Sequence, residues 1–394
     1  MKAWGIIAEY NPFHNGHAYQ IEKIKETNDA EVIVAIMSGN FLQRGEPAIL
    51  DKWTRAEMAL SAGVDLVIEL PVLWSTQPAD YFAEGAVRLL EALEIDTISF
   101  GVEAGESVDF LEAAKFLIKN EKQIMEAIEN HSEMNMPYAQ KMEEAILSLN
   151  PSFTLDLSSP NVQLALSYQK AILDRKLEEK INIFPIERIG AGYQEEKINY
   201  HPSIASATAI RKAVFREENI SSYLVESTQS LFNQEHEKKV SWENYFPYLK
   251  YQLIIKTKSE LREIYQMTEG LENRLKKYIT EADSFEEFMI KIKTKRYTRT
   301  RLQRLLVYVL LNIKKADIKE AFYTQSVIRI LGFNQKGQNY LNSKKEGLEY
   351  PLVSNINQET KKLLDFEIKS GEIYRLGHSK IRKQDFSRKP VIFD

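Results

Sequence analysis

Two stretches of this sequence have residue types and spacings that could do chemistry. The first is His14-Asn15-Gly16-His17, which holds two of the chain's six histidines three positions apart. Gly16 between them permits close backbone approach. If a helix begins here, its free N–H groups and positive dipole end face any ligand, and two imidazoles beside them can donate hydrogen bonds to phosphate oxygens. Such donors stabilise the charge that builds up when an α-phosphate is attacked and pyrophosphate leaves. Asn11 and Asn15 add neutral donors. The same spacing also arises by chance, and it can hold a metal, although His14 and His17 have no Cys partner and no second cluster close by. The second stretch, Lys291 to Lys315, contains nine Lys or Arg and no Asp or Glu. A local basic face sets where a polyanion docks, even in a chain of net charge −4. Here Lys293, Lys295, Arg296, Arg299, Arg301 and Arg304 can contact phosphates, and Tyr297 can stack on a base. A solvated helix face is the ordinary alternative for such a run.

Periodicity supplies the frame for these groups. Ala3 to Ala8, Glu31 to Met37, Asp65 to Leu70, Asp96 to Phe100 and Ile181 to Ile186 read as short buried strands. Helical patterns separate them at His17 to Glu26, Trp53 to Ala62, Ala79 to Leu93 and Asn161 to Leu177, with a helical insertion over Gly105 to Leu149. Strands alternating with helices imply right-handed βαβ units and a Rossmann-like α/β fold with a parallel sheet. In such sheets ligands bind beyond the carboxyl ends of the strands, where Glu9 to His17, Ser38 to Arg44 and Gly101 to Glu103 gather. Ser206 to Arg216 begins a further helix. Beyond about residue 220 long charged helices dominate, with short strands expected at Val327 to Leu331 and Gly371 to Arg375. The division expected is an α/β domain over 1–218, which carries the candidate phosphate site, and a mostly helical domain over 219–394, which carries the basic run.

The bulk numbers agree. At 394 residues two domains are the starting expectation. The absence of cysteine excludes a disulfide framework, a zinc-thiolate site and a thiol nucleophile, and it fits a reducing compartment. Glu9 breaks the apolar run after Lys2 too early for a signal peptide, and Leu305 to Leu311 is far too short to span a bilayer. A cytoplasmic protein without a membrane partner is expected.

Phe13-His14-Asn15-Gly16-His17 resembles the H-x-G-H signature of the nucleotidyltransferase superfamily, and Ser206-Ala207-Thr208-Ala209-Ile210-Arg211 resembles its second signature, S-S-T-x-I-R, with Ala207 replacing one Ser. Ser206 can cap a helix, Thr208 adds a hydroxyl, and Arg211 offers a forked cation to the β- and γ-phosphates. No K-M-S-K-S loop is present, which argues against an aminoacyl-tRNA synthetase. The likeness is closer still to the bacterial tRNA(Met) cytidine acetate ligases. It runs from Gly5 through His17, Met37 through Ala48, Gly63 through Pro71, Phe100 through Glu103 and Ser206 through Arg211 to Lys295-Arg296-Tyr297 and on to Arg304.

That resemblance implies an ATP-dependent ligase. Acetate attacks the α-phosphate of ATP to give acetyl-adenylate and pyrophosphate. The exocyclic amine of the wobble cytidine of elongator tRNA(Met) then takes the acetyl group and releases AMP. The ATP contacts carried over are Ile7, Ala8, Glu9, Tyr10, Asn11, Pro12, Phe13, His14, Asn15, Gly16, His17, Ala18, Tyr19 and Gln20, together with Gly101, Asn161 and Arg188; Ser206, Thr208 and Arg211 join them from the second signature. Acetate needs no base to attack, so positioning and charge stabilisation suffice. His14, His17 and Arg211 are assigned to stabilising the α-phosphate and the leaving pyrophosphate. For the second step Glu9 or Glu103 could act as base, or orient the ribose or cap a helix. Lys52 and Arg55 could reach phosphates, against a solvated helix face as the default. Mg²⁺ usually accompanies ATP, but no carboxylate pair demands it. The target cytidine must leave the anticodon stack to reach the ATP site. An adenylyltransferase for a small phosphorylated metabolite is the main competing reading. An RNA-binding protein with a relic nucleotide site is the third.

Overall fold

The computed structural model describes residues 1–130, 138–189, 204–268, 270–323 and 327–394. Among the described residues eight strands form one sheet: β1 (Ala3–Ala8), β2 (Val32–Ser38), β3 (Leu66–Leu70), β4 (Thr97–Val102), β5 (Asn182–Glu187), β6 (Ile328–Phe333), β7 (Leu352–Val353) and β8 (Val391–Ile392). The order is β5-β4-β1-β2-β3-β6-β7, with β8 paired to β6. The five N-terminal strands are parallel, as βαβ connections require, and they place the ends of β1, β2 and β4 side by side.

Both faces of the sheet are covered, and this explains why the strands read as continuous apolar runs rather than alternating ones. Along β2, Val32, Val34 and Ile36 face the core shared with the Ala79–Ala92 and Gln335–Lys344 helices, and the Pro160–Asp174 helix covers β4 beside it. Ile33, Ala35 and Met37 face the other way, toward the Asn15–Glu26, Lys52–Ser61 and Ala207–Phe215 helices. The insertion after β4 is helical over Ser107–Lys119, Glu121–Asn130 and Tyr138–Leu149; residues 131–137 of it lie outside the described residues.

From residue 221 to 323 the described chain is mostly helical around its own core, which includes Trp242, Leu249, Phe288, Leu305 and Val309. Phe41 from the loop after β2 and Val72 and Leu73 from the short Val72–Ser75 helix after β3 are part of that core, so two connections of the parallel sheet anchor the helices. The strand expected at Val327 to Leu331 is β6, which runs antiparallel to β3 and extends the sheet across the 218/219 division. The strand expected at Gly371 to Arg375 is instead the end of the Asp365–Arg375 helix. Its buried Glu367, Gly371 and Tyr374 recur at helical spacing, and Gly371 sits against Asp385, where a Cβ would come 2.2 Å from a carboxylate oxygen. Among the described residues no helix is long and apolar enough to cross a membrane.

Candidate active site

The turn after β1 is held from below by a buried arginine. Arg55 donates Nη1 to the carbonyls of Glu9 at 2.6 Å and Ser38 at 3.1 Å, Nε to Leu50 at 3.0 Å, and Nη2 to Gly39. It ties the ends of β1 and β2 together. Lys52 is equally buried, 2.8 Å from both carboxylate oxygens of Glu69 and 2.8 Å from Asp385. Neither residue lies on a solvated helix face, and neither is free to meet a phosphate: the first turn of their helix points into the protein and consumes both cations in structural bonds. Asn11 adds a third anchor, its Oδ1 accepting the Ile49 N–H at 2.7 Å. Tyr10 takes a left-handed backbone (φ +48°), which turns the chain from strand to helix.

The Asn15–Glu26 helix opens with histidines in place of the usual capping residues. His14 Nδ1 accepts the Gly16 N–H at 3.0 Å, and His17 Nδ1 accepts the His14 N–H at 3.2 Å. A backbone N–H can only donate, so both Nδ1 atoms are bare and each neutral ring carries its proton on Nε2. The rings stack with centroids 3.8 Å apart. A Cβ at position 16 would come 2.9 Å from the His14 ring, so Gly16 is the residue that lets the stack form. Burial, with Arg188 and Arg211 nearby, pulls His14 down to about 3. Burial, then His14 and Arg188, holds His17 well below its ordinary value. The pair is therefore a set of two neutral Nε2–H donors.

These donors open into a cavity of about 970 Å³. Of the sequence-assigned residues, Ile7, Ala8, Glu9, Tyr10, Asn11, His14, Gly16, His17, Tyr19, Gln20, Gly101, Asn161, Arg188, Ser206, Thr208 and Arg211 line it. Pro12, Phe13, Asn15 and Ala18 do not: Phe13 is fully buried behind Tyr10 and His17, and the Asn15 amide donates to the Ser222 carbonyl at 2.9 Å. Ser206 caps the Ala207–Phe215 helix by accepting the Ala209 N–H at 3.2 Å. Arg211, on that helix, donates Nη1 to the Asn11 carbonyl at 3.0 Å and pairs with Glu46 at 3.2 Å. Two signatures about two hundred positions apart in sequence thus meet in one cavity wall. Asn161 donates to Glu103, which also accepts from Ser159, so both carboxylate oxygens of Glu103 are engaged in holding the cavity's side. Burial lowers Arg188, which sits against Gly101.

The basic stretch divides. Arg304 lines the cavity, donating Nη1 to the Gln43 carbonyl at 3.3 Å. Lys293, Lys295 and Arg296 are exposed on the segment before the Arg299–Leu311 helix. Arg299 is paired bidentately with Glu286 at 2.7 and 2.6 Å, and Arg301 donates to Thr268 at 3.2 Å. Tyr297 is 6% exposed, with the Arg301 guanidinium 4.7 Å from its ring centre, so the ring serves the helical core and is not presented to a base. Sequence reasoning missed Thr298 and Thr300 on the cavity wall, and the apolar side formed by Leu117, Ile124 and Met142 of the insertion. Polar spacing carries no signal for either. Gln43 and Arg44 also line the cavity, from the stretch expected at the end of β2. Among the described residues no group of three or more His, Asp or Glu is arranged to hold a metal ion.

A parallel sheet whose first strand ends on an H-x-G-H cap, facing a second helix that brings in S-x-T-x-I-R, defines a nucleotidyltransferase. The HIGH Nucleotidyl Transferase family matches residues 1–389. A tRNA(Met) cytidine acetate ligase of Listeria monocytogenes serotype 4a (strain HCC23) is 41% identical over 397 residues, covering 100% of each chain. One of Geobacillus sp. (strain WCH70) is 44% identical over 364 residues, 91% of this chain and 90% of the relative. The chain belongs to the HIGH nucleotidyl transferases and, among them, to the tRNA(Met) cytidine acetate ligase family. Crystal structures of Thermotoga maritima TmcAL, bound with alpha-thio ATP and apo, superpose with TM-scores of 0.88 and 0.89 at 27% identity, covering 100% of this chain and 99% of each of theirs.

Proposed function

We propose that this chain is an ATP-dependent ligase that makes N4-acetylcytidine at the wobble position of elongator tRNA(Met). Acetate attacks the α-phosphate of ATP, pyrophosphate leaves, and the cytidine amine takes the acetyl group from acetyl-adenylate with release of AMP. His14 and His17 donate from Nε2 to phosphate oxygens, and being neutral they do so without first surrendering a carboxylate partner. Arg211 and Arg188 supply the positive charge that a triphosphate and a crowded α-phosphate require. Mg²⁺ fits as an ion carried in on the triphosphate, since such ions keep most of their waters and few protein ligands. The exposed Lys293, Lys295 and Arg296, with Arg304 at the cavity, are the proposed tRNA contacts, and the helical residues 221–323 the proposed core of the tRNA-binding domain. Cytoplasmic action on tRNA follows from the same reading.

The observation that carries this reading is the bond from Arg211 to the Asn11 carbonyl, 3.0 Å, which joins the two phosphate signatures at a cavity that the basic helix also lines. The test is incubation with ATP, labelled acetate and total tRNA, followed by digestion. Acetylated cytidine is the expected product, lost in His17→Ala with the fold intact. Adenylylation of a mononucleotide or phosphopantetheine with no change to tRNA would overturn the proposal in favour of the small-metabolite enzyme.

A further inference from the structure

Glu9 and Arg304 come from distant parts of the chain and grip the same residue. Glu9, at the turn after β1, accepts the Gln43 N–H at 2.9 Å, and Arg304, on the basic helix, donates to the Gln43 carbonyl at 3.3 Å. All three line the cavity. The second carboxylate oxygen of Glu9 has no hydrogen-bond partner among the described residues, and the buried Nε of Arg304 has none either. Glu103, the other carboxylate considered for the acceptor step, has both oxygens occupied by Ser159 and Asn161. Where the nucleotide half meets the basic helix, the cavity wall therefore holds a carboxylate with one oxygen unengaged and a partly exposed guanidinium, both anchored on Gln43.

A cytosine ring asks for that pair. Its Watson–Crick edge offers the N4 amine as donor at one end and O2 as acceptor at the other, and a flipped base is read along this edge. Uridine carries an acceptor, O4, where cytosine has the amine, and a carboxylate repels it. We infer that Glu9 and Arg304, set by the main chain of Gln43, are the subsite for the acceptor cytosine, with Glu9 on N4 and Arg304 on O2. The inference rests on the proposed acetate ligase reading and adds to it the groups that choose cytidine over uridine. In the transfer step the N4 lone pair forms the bond to the acetyl carbon. The bond from that carbon to the phosphate oxygen breaks, AMP leaves with the electron pair, and the N4 proton passes to Glu9 and on to water.

The test is competition binding of two tRNA(Met) transcripts that differ only in cytidine or uridine at the wobble position. The preference is a ratio taken on one sample, so a partly unfolded fraction weakens both transcripts and leaves the ratio unchanged. Wild-type protein is expected to favour cytidine by roughly tenfold, the scale of one well-placed base contact. Glu9→Gln, whose amide can donate to O4, is expected to bring the ratio near unity. Arg304→Gln is expected to weaken both transcripts together, because both bases carry O2. No preference in the wild type, or an unchanged preference in Glu9→Gln, overturns the inference. If the wild type nonetheless acetylates cytidine, the proposed function stands without it; if no acetylcytidine forms under any condition, the proposed function itself falls.

Discussion

The guanidinium of Arg211 stands 3.2 Å from the carboxylate of Glu46, whose other oxygen accepts from Gln303 on the basic helix at 3.3 Å. The cation assigned to the triphosphate is therefore already shared with an acid, and that acid also touches the helix proposed to meet RNA. A triphosphate entering the cavity competes with Glu46 for Arg211. Glu46→Gln removes the competing charge, and ATP should bind up to about fivefold tighter, since a partly exposed ion pair is worth roughly 1 kcal/mol at most. Calorimetric titration with ATP measures this; weaker binding would mean that Glu46 positions Arg211 rather than opposing the ligand.

The histidine cap makes stability sensitive to acid. His14 falls to about 3 in the folded chain from an ordinary 6.5. Between those values the unfolded chain holds a proton that the folded chain does not. Stability is thus unaffected above about 6.5 and falls as pH drops through that window, by up to about 1.4 kcal/mol per pH unit. His14→Asn keeps an acceptor for the Gly16 N–H and loses the titration. Urea unfolding at pH 7 and pH 5 should show a smaller loss in this variant than in the parent.

Lys52 lies between Glu69 and Asp385 with no access to water. Burial alone would favour its neutral form, but the two carboxylates hold it charged, above the ordinary lysine value. Lys52→Met leaves two buried carboxylates facing each other and should cost roughly 3–5 kcal/mol. Adding Glu69→Gln and Asp385→Asn should recover part of that loss, and denaturant midpoints of the two variants decide it.

Gly45 has a φ of +72°, and a Cβ there would come 2.2 Å from the Arg304 backbone nitrogen. Gly45→Ala should cost roughly 1–3 kcal/mol in backbone strain alone. It should also push the Gln43 loop off the basic helix, so tRNA acetylation should fall further than thermal stability accounts for. A thermal melt and a single-turnover acetylation assay, run on the same preparation, separate the two losses.

Much of the frame of the candidate site is legible because its signals are local. The strand before Glu9, the cap at His14 and the helix after it each follow from a few adjacent residues, as does Ser206 at the next cap. What escaped were partnerships across long distances. Lys52 and Arg55 look like a solvent-facing first turn, and only Asp385 and the carbonyl groups of Glu9, Ser38, Gly39 and Leu50 make them core residues. Tyr297 sits in a basic run that suggests base stacking, yet its neighbours in the helical core claim the ring. Gly371 to Arg375, the end of the Asp365–Arg375 helix, reads as a strand in the sequence because five residues are too few to separate the two periods.

The sheet has a consequence for how this chain is made. While the ribosome is still at work, β3 has an open edge until residues 328–333 emerge to pair with it. Lys52 is already in place by then, but its partner Asp385 is synthesised 333 positions later. A nascent chain therefore carries a charge it cannot comfortably bury and an unpaired strand beside it. The nucleotide half, though first to be translated, is expected to mature only after the part proposed to meet the RNA has been made.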